Sequence, residues 1–271
     1  MSRKHWLALP FMFVGQTAMA DCGAPEDMCE TATGGYFIEL PDTENPPMVV
    51  FLHGYGGSGT GTMNNRGMVE PLLARGYAVM APEGALRNGR KSWNFFPGWE
   101  GRDETAFLSE VVQDAAERFG VDSDRIVLGG FSAGGFMVNY LACAAPDTFS
   151  AYAPVSGGFW RPHPEACDGP VRLFHTHGWT DNVVPLEGRF LGGGRFQQGD
   201  IFAGLEIWRT ANECVDNRPD AFGTTDQFMR RKWTRCAEGS ALEFALFPGG
   251  HTVPKGWADM MLDWYEGLPG S

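Results

Sequence analysis

One five-residue segment carries the pattern of an activated nucleophile. Residues 130–134 read Gly-Phe-Ser-Ala-Gly, and they lie between the apolar run 126–128 and a stretch of helix-forming residues. A strand that turns this tightly into a helix tolerates only small neighbours and holds its central residue in a strained conformation. The start of the helix also stabilises negative charge that develops beside it. We therefore predict Ser132 as a nucleophile; the alternative is a capping serine in a glycine-rich turn.

A serine hydroxyl is a poor nucleophile without a base. In this strand–serine–helix arrangement the partners follow the serine in the order acid, then histidine. His251 follows the predicted strand 242–247 on a Gly-Gly loop, so we predict it as the base, the alternative being an exposed loop histidine. Position along the chain argues against the other histidines, which are His5, His53, His163, His175 and His177.

The acid that orients the base should leave the sheet just after a strand. Asp181 ends the segment His-Gly-Trp-Thr-Asp (177–181), directly after the predicted strand 171–175. We predict that it holds the Nδ1 atom of His251. An aspartate that only forms a turn is the alternative. Three later aspartates compete less well because none follows a clear strand: Asp168, Asp200 and Asp220.

Acyl transfer also needs two N–H groups aimed at the oxyanion of the tetrahedral intermediate. We predict the amide of Ala133, directly after the nucleophile, as one donor. The second should come from the glycine-rich loop 53–59, with Tyr55 first and Gly54 next. A phosphate-binding loop is the rival interpretation, but the segment lacks the Gly-Lys-Ser/Thr ending of that motif.

Aromatic residues flank the predicted site. We predict that Trp179, beside the acid, and Trp93, in the aromatic loop 93–99, contact substrate; core packing is the alternative for the loop. His175 and His177 have the spacing of a two-point metal site, but no third ligand is evident nearby. We expect neither a metal nor a cofactor.

Apolar runs alternate with amphipathic segments along the chain. This alternation predicts a single α/β domain, with a mostly parallel sheet and helices on both faces. The predicted strands are 36–40, 48–52, 77–81, 125–128, 151–154, 171–175 and 242–247. The predicted helices are 65–75, 103–119, 133–143, 201–211 and 255–265, the second capped by Asp103 and Gly120.

The first twenty residues resemble an export signal. A basic start precedes a short apolar run, and residues 18–20 read Ala-Met-Ala. We expect cleavage after Ala20, a catalytic domain over residues 21–271, and an extracellular or periplasmic location. The six cysteines then suggest three disulfides, and proximity favours the pairs Cys22–Cys29, Cys143–Cys167 and Cys214–Cys236.

The formal net charge of −12 disfavours nucleic acid and anionic membranes as partners. No apolar stretch after the leader is long enough for a membrane anchor.

Taken together, these segments resemble the extracellular polyhydroxybutyrate depolymerases and the related feruloyl and acetyl-xylan esterases, which have the α/β-hydrolase fold. The similarity runs from about Gly35 to Trp264. It rests on residues 52–54, 103–108, 121–126, 131–135, 149–154, 177–181 and 250–251.

The resemblance implies a serine ester hydrolase with Ser132 as nucleophile, Asp181 as acid and His251 as base. Apart from the resemblance, we expect an ester substrate as the partner and a monomeric protein. The chain departs from the family pattern at Tyr55, where many members have Cys or Ser, and at residues 252–254, near the substrate pockets. Two rival functions stay open: a secreted serine peptidase of the prolyl-oligopeptidase type, and an inactive binding protein on a hydrolase fold.

Overall fold

Apolar segments at regular intervals build one ten-stranded sheet in the computed structural model, which describes residues 22–270. The expected signal peptide and its cleavage site lie outside the described residues. The sheet strands are β1 (Cys29–Glu30), β2 (Gly35–Glu39), β3 (Met48–Leu52), β4 (Ala78–Pro82), β7 (Ile126–Phe131), β8 (Ala151–Val155), β9 (Arg172–Gly178), β12 (Ala221–Thr225), β13 (Phe228–Trp233) and β14 (Ala241–Phe247). Two small hairpins pair β5 (Ala85–Arg87) with β6 (Arg90–Ser92) and β10 (Phe190–Leu191) with β11 (Phe196–Gln197).

Six central strands run parallel, in the spatial order β4, β3, β7, β8, β9 and β14. Antiparallel strands close both sides, with β2 and β1 beside β4, and β13 and β12 beside β14. Parallel strands place all their carboxyl ends at one edge of the sheet. The segments that follow β3, β7, β9 and β14 therefore meet there, and they contain the predicted site residues.

Both faces of the sheet are covered by helices. These are α1 (Gly59–Met63), α2 (Arg66–Ala74), α3 (Glu104–Phe119), α4 (Ala133–Ala144), α5 (Ile201–Ala211) and α6 (Trp257–Glu266), with short 3₁₀ turns at Pro146–Thr148 and Gly192–Gly194. Every residue of β3 is buried, and its side chains alternate between two separate apolar clusters. One cluster includes residues of α3, α4 and α5, and the other includes residues of α2 and α6. The predicted α/β architecture, with helices on both faces, is confirmed.

Local capping signals set the ends of α3 where the sequence predicted them. The side chain of Asp103 accepts a hydrogen bond from the amide of Ala106, and Gly120 ends the helix with a φ of 67°. The hairpin of β12 and β13 was not predicted. Its inner strand reads Phe-Met-Arg-Arg-Lys-Trp, and only the two terminal residues are buried, so no apolar alternation marks it.

Three disulfides join Cys22 to Cys29, Cys143 to Cys167 and Cys214 to Cys236, the pairs that sequence proximity favoured. The second ties the end of α4 to the loop after β8, and the third ties the segment after α5 to the segment after β13. Within residues 22–270, no helix has the length and apolar character needed to cross a membrane.

Candidate active site

Ser132 lies at the sharp turn between β7 and α4, with φ 57° and ψ −115°. Few residues other than glycine adopt such a positive φ, so the backbone here is strained. The turn closes only because its flanking residues are small. A Cβ on Gly130 would lie 2.6 Å from the Gly134 carbonyl oxygen, and one on Gly134 would lie 2.2 Å from the Leu52 carbonyl oxygen. The strand–turn–helix context predicted for Ser132 is therefore present.

The three predicted site residues form a continuous chain of hydrogen bonds. His251 Nε2 lies 2.9 Å from Ser132 Oγ, and His251 Nδ1 lies 2.8 Å from Asp181 Oδ2. The imidazole packs against the ring of Phe131, with 4.6 Å between the ring centroids. Asp181 is buried, whereas His251 is partly exposed. These distances are those of a nucleophile, a base and an orienting carboxylate.

Asp181 is held by the turn that follows β9. Its Oδ1 accepts hydrogen bonds from the amides of Val183 at 2.9 Å and Val184 at 2.8 Å, which leaves Oδ2 directed at His251. Burial alone would raise the pKa of Asp181, but the hydrogen bonds from His251 and Val184 outweigh it, and the pKa lies below its ordinary value. The carboxyl group is therefore ionised over the neutral range.

The competing aspartates serve local structure. The side chain of Asp200 caps α5 by accepting from the amide of Ala203, and that of Asp220 accepts from the amide and hydroxyl of Thr234. The amide of Asp168 donates to the Cys143 carbonyl beside a disulfide.

The loop after β3 is fixed beside Ser132 by His53. A Cβ on Gly54 would lie 3.3 Å from the Ser132 Cβ, so this loop packs directly on the turn. The Gly54 carbonyl lies 2.8 Å from His53 Nδ1 and accepts from the amide of Gly57 at 2.9 Å. In a trans peptide the N–H of the next residue points opposite to the carbonyl. The Tyr55 amide is thus held in one direction, while its side chain is 56% exposed.

Trp93 was predicted to contact substrate, and that prediction is wrong. Its side chain is fully buried in the core, where the indole N–H donates to the His53 carbonyl at 2.8 Å. The Trp93 ring also packs against His53, with 5.0 Å between the centroids, so Trp93 stabilises the loop after β3 from the core. Trp179, the other predicted contact, is 60% exposed two residues before Asp181.

A pocket of about 350 Å³ borders the site. Its lining includes Gly54, Tyr55, Phe131 and Val253, and the Phe131 ring packs against His251. Ser58, Thr62 and Asn65 also line it, and they carry hydroxyl and amide groups. The pocket can therefore take a group of mixed apolar and polar character.

His175 and His177, considered above as a metal pair, are hydrogen-bonded to each other at 3.1 Å. Among residues 22–270, no group of three or more His, Cys, Asp or Glu side chains has the arrangement of a metal site. The order of residues along the chain removed both His53 and His177 as candidate bases. It gave no sign that either histidine contacts the loops around Ser132 and Asp181, although each stands directly before a glycine at the end of a strand.

The chain matches the model of the prolyl oligopeptidase family over residues 64–159. This stretch contains Ser132 but neither Asp181 nor His251.

Three curated relatives are similar over regions longer than this family match. The chain is 26% identical over 217 residues to a bifunctional acetylxylan esterase/xylanase of Neocallimastix patriciarum, which covers 77% of this chain and 29% of the relative. It is 31% identical over 127 residues to poly(3-hydroxyalkanoate) depolymerase C of Paucimonas lemoignei, covering 43% and 29%. It is 28% identical over 228 residues to feruloyl esterase C of Emericella nidulans, covering 80% and 75%. The chain thus spans less than a third of two of these relatives and three quarters of the last.

Among solved structures, an acetyl xylan esterase from Aspergillus awamori superposes with a TM-score of 0.64 at 15% identity, covering 86% of this chain and 93% of the other. At that identity the likeness concerns the fold.

Proposed function

We propose that this chain, which has the fold of the α/β-hydrolases, is a secreted serine carboxylic-ester hydrolase that works through an acyl-enzyme. The observation that carries the proposal is the unbroken hydrogen-bonded chain from Asp181 through His251 to Ser132, at 2.8 and 2.9 Å, on a strained strand-to-helix turn. A capping serine needs no such chain, and here the Ser132 side chain makes no capping hydrogen bond to α4.

In the first step, Ser132 Oγ attacks the ester carbonyl carbon while its proton passes to His251 Nε2. Asp181 holds the Nδ1–H of His251 and stabilises the imidazolium that forms. The amides of Ala133 and Tyr55 hold the oxyanion of the tetrahedral intermediate. As the carbonyl re-forms, the bond to the alcohol oxygen breaks, and His251 returns the proton to that oxygen.

In the second step, water takes the place of the alcohol. His251 removes a proton from the water, the resulting hydroxyl attacks the acyl-serine, and the carboxylic acid leaves as Ser132 Oγ regains a proton. The residues named here complete both steps.

For the substrate, we propose a polyhydroxybutyrate-type ester or a feruloyl or acetyl ester of a polysaccharide. The three relatives bear such names, and the pocket beside Tyr55 is lined by both apolar and polar side chains. Trp179 is exposed near the acid, where it can pack against a sugar or an aromatic acyl group. Secretion is supported by the predicted leader and by the three disulfides.

The test is hydrolysis of p-nitrophenyl esters by the wild type and by Ser132→Ala, with Ser109→Ala as a matched control. Ser109 lies on α3, where its hydroxyl bonds the Thr105 carbonyl. We expect Ser132→Ala to abolish turnover and labelling by a fluorophosphonate, and Ser109→Ala to retain both. Turnover by Ser132→Ala at the wild-type rate would refute the assignment. A panel of feruloyl, acetyl-xylan and 3-hydroxybutyrate oligomer esters then ranks the substrates by kcat/KM.

A peptidase of the prolyl-oligopeptidase type is the second candidate, favoured by the family match over residues 64–159. That match covers the nucleophile turn, a feature that esterases of this fold share. Peptide anilides assayed beside the esters distinguish the two, since a peptidase cleaves the anilides with the higher kcat/KM. An inactive binding protein would show no fluorophosphonate labelling at all.

A further inference from the structure

Two buried histidines lie directly behind the candidate acid. His175 and His177 alternate along β9 with their rings stacked, and His175 Nε2 lies 3.1 Å from His177 Nδ1. On the far side of its ring, His177 Nε2 lies 2.8 Å from the Val184 carbonyl oxygen and 3.7 Å from Asp181 Oδ2. Both histidines are buried and the mechanism above uses neither.

The Val184 carbonyl fixes where the protons are. A carbonyl oxygen can only accept, so His177 Nε2 must carry a hydrogen. In the neutral ring Nδ1 then accepts, and the hydrogen between the two rings belongs to His175 Nε2. Burial lowers the pKa of both rings below the ordinary value, which keeps them neutral and the assignment in place.

Val184 links this pair to the acid. Its amide donates to Asp181 Oδ1 at 2.8 Å, while its carbonyl accepts from His177. The turn after β9 is thus fixed at Val184 by two hydrogen bonds, one from its amide to Asp181 and one from His177 to its carbonyl. Because Oδ1 is occupied by the turn, Oδ2 is the oxygen that faces His251, and His177 Nε2 lies 3.7 Å from that same oxygen.

We propose that His177 is a positioning residue for the catalytic acid and that His175 fixes its tautomer. This proposal rests on the proposed function. Besides His175, the titratable groups that act on His177 are Asp181 and His251. The His175 ring packs against the ring of Phe244, with 5.5 Å between their centroids. The pair therefore keeps a neutral N–H donor beside the carboxylate and stops the turn from rotating.

The test compares His177→Phe, His177→Gln and His175→Phe with Phe244→Leu. Phenylalanine fills the space of the ring without a donor, whereas glutamine can place an N–H near the position of Nε2. Phe244→Leu disturbs the packing of the same pair and leaves its hydrogen bonds intact. Each variant is first checked for folding by circular dichroism and thermal unfolding.

We expect His177→Phe to lower kcat on a p-nitrophenyl ester on the order of 10- to 100-fold with little change in KM, since misplacement of a catalytic group by about 1 Å costs a factor of that size. His177→Gln should recover much of the loss. His175→Phe should lower kcat less than His177→Phe, and Phe244→Leu should lower stability while kcat stays within about twofold. If His177→Phe does not fold, the kcat values of His177→Gln and His175→Phe are compared with that of Phe244→Leu, and this comparison tests the proposal.

A second readout needs no substrate. In the proton NMR spectrum, the low-field resonance of the His251 Nδ1–H bonded to Asp181 should persist in His177→Gln and shift or vanish in His177→Phe. Wild-type kcat and an unchanged resonance in every folded histidine variant would overturn the proposal, as would equal kcat losses in Phe244→Leu. A wild type without ester hydrolysis but with this pattern of resonances would overturn the proposed function and leave the positioning role standing.

Discussion

Replacing His53 with phenylalanine should weaken oxyanion stabilisation without touching the triad. The Gly84 amide lies 3.0 Å from His53 Nε2 and can only donate, so Nε2 accepts and the ring hydrogen is on Nδ1. That N–H donates to the Gly54 carbonyl, whose peptide carries the Tyr55 amide. Burial lowers the pKa of His53 and keeps this tautomer neutral.

The expected loss follows from what remains after the change. Removing one oxyanion donor outright costs about 10²- to 10³-fold in kcat. His53 supplies one of two hydrogen bonds on the Gly54 carbonyl, and the Gly57 amide still supplies the other at 2.9 Å. The peptide between Gly54 and Tyr55 keeps one of these two hydrogen bonds and becomes more mobile, so we expect a decrease in kcat of about 10- to 100-fold. The buried Gly84 amide would lose its partner, which lowers the free energy of unfolding by about 1–3 kcal/mol.

The assay measures kcat and KM on a soluble ester, together with the affinity of a boronic acid that mimics the tetrahedral intermediate. His53→Asn keeps an N–H near the position of Nδ1 and should recover part of the loss. His163→Phe is the matched control, because this half-buried ring packs against Phe159, outside the triad and the loop. A folded His53→Phe with kcat within twofold of the wild type and unchanged boronate affinity would show that His53 does not orient the Tyr55 amide.

Three further changes test the structure around the site. Replacing Cys143 and Cys167 with serine opens a cross-link with a sequence separation of 24 and should lower the free energy of unfolding by about 3–4 kcal/mol in urea titration; an unchanged value would contradict this. Asp181→Asn removes a carboxyl group whose folded pKa is below its unfolded value of about 3.9, so the stability that it contributes is present above that pH and is lost as the pH falls through the folded pKa. The difference in unfolding free energy between wild type and Asp181→Asn should therefore shrink on acidification, and a constant difference would refute it. Asp103→Ala removes the cap of α3 and should lower stability by about 1 kcal/mol in thermal unfolding without changing kcat, whereas a loss of activity would contradict a purely structural role.

Local sequence patterns sufficed for the elements that position the triad. The fully apolar β3 and β8, the capped α3 and the small residues around Ser132 each carry their signal within a few positions, because strand burial, capping and tight turns are short-range effects. α5 spans Ile201–Ala211 as predicted. The order of acid and base along the chain then left Asp181 and His251 as the predicted partners of Ser132.

The burial of an aromatic or polar side chain could not be predicted in the same way where it depends on contacts with residues distant in sequence. Trp93 follows a short exposed hairpin, and its burial results from contacts with the loop after β3, about forty residues earlier. β9 continues through His177 to Gly178, past the predicted end at residue 175, because it pairs with β14 as far as Phe247. That extension places the His177 ring in the interior beside Asp181.

The surroundings of each imidazole distinguish the proposed base, His251, from His53 and His177, which we propose as positioning residues. His251 is partly exposed and bonds a hydroxyl on one side and a carboxylate on the other, so it can accept a proton and keep both partners. His53 accepts from the Gly84 amide, and His177 donates to the Val184 carbonyl. Backbone partners of this kind cannot exchange roles, because an amide only donates and a carbonyl only accepts. Protonating His53 would set two donors against each other, and protonating His177 would do the same unless His175 changed its tautomer. A histidine whose two ring nitrogens both bond the backbone, as those of His53 do, is thus suited to fixing a loop and poorly suited to moving a proton.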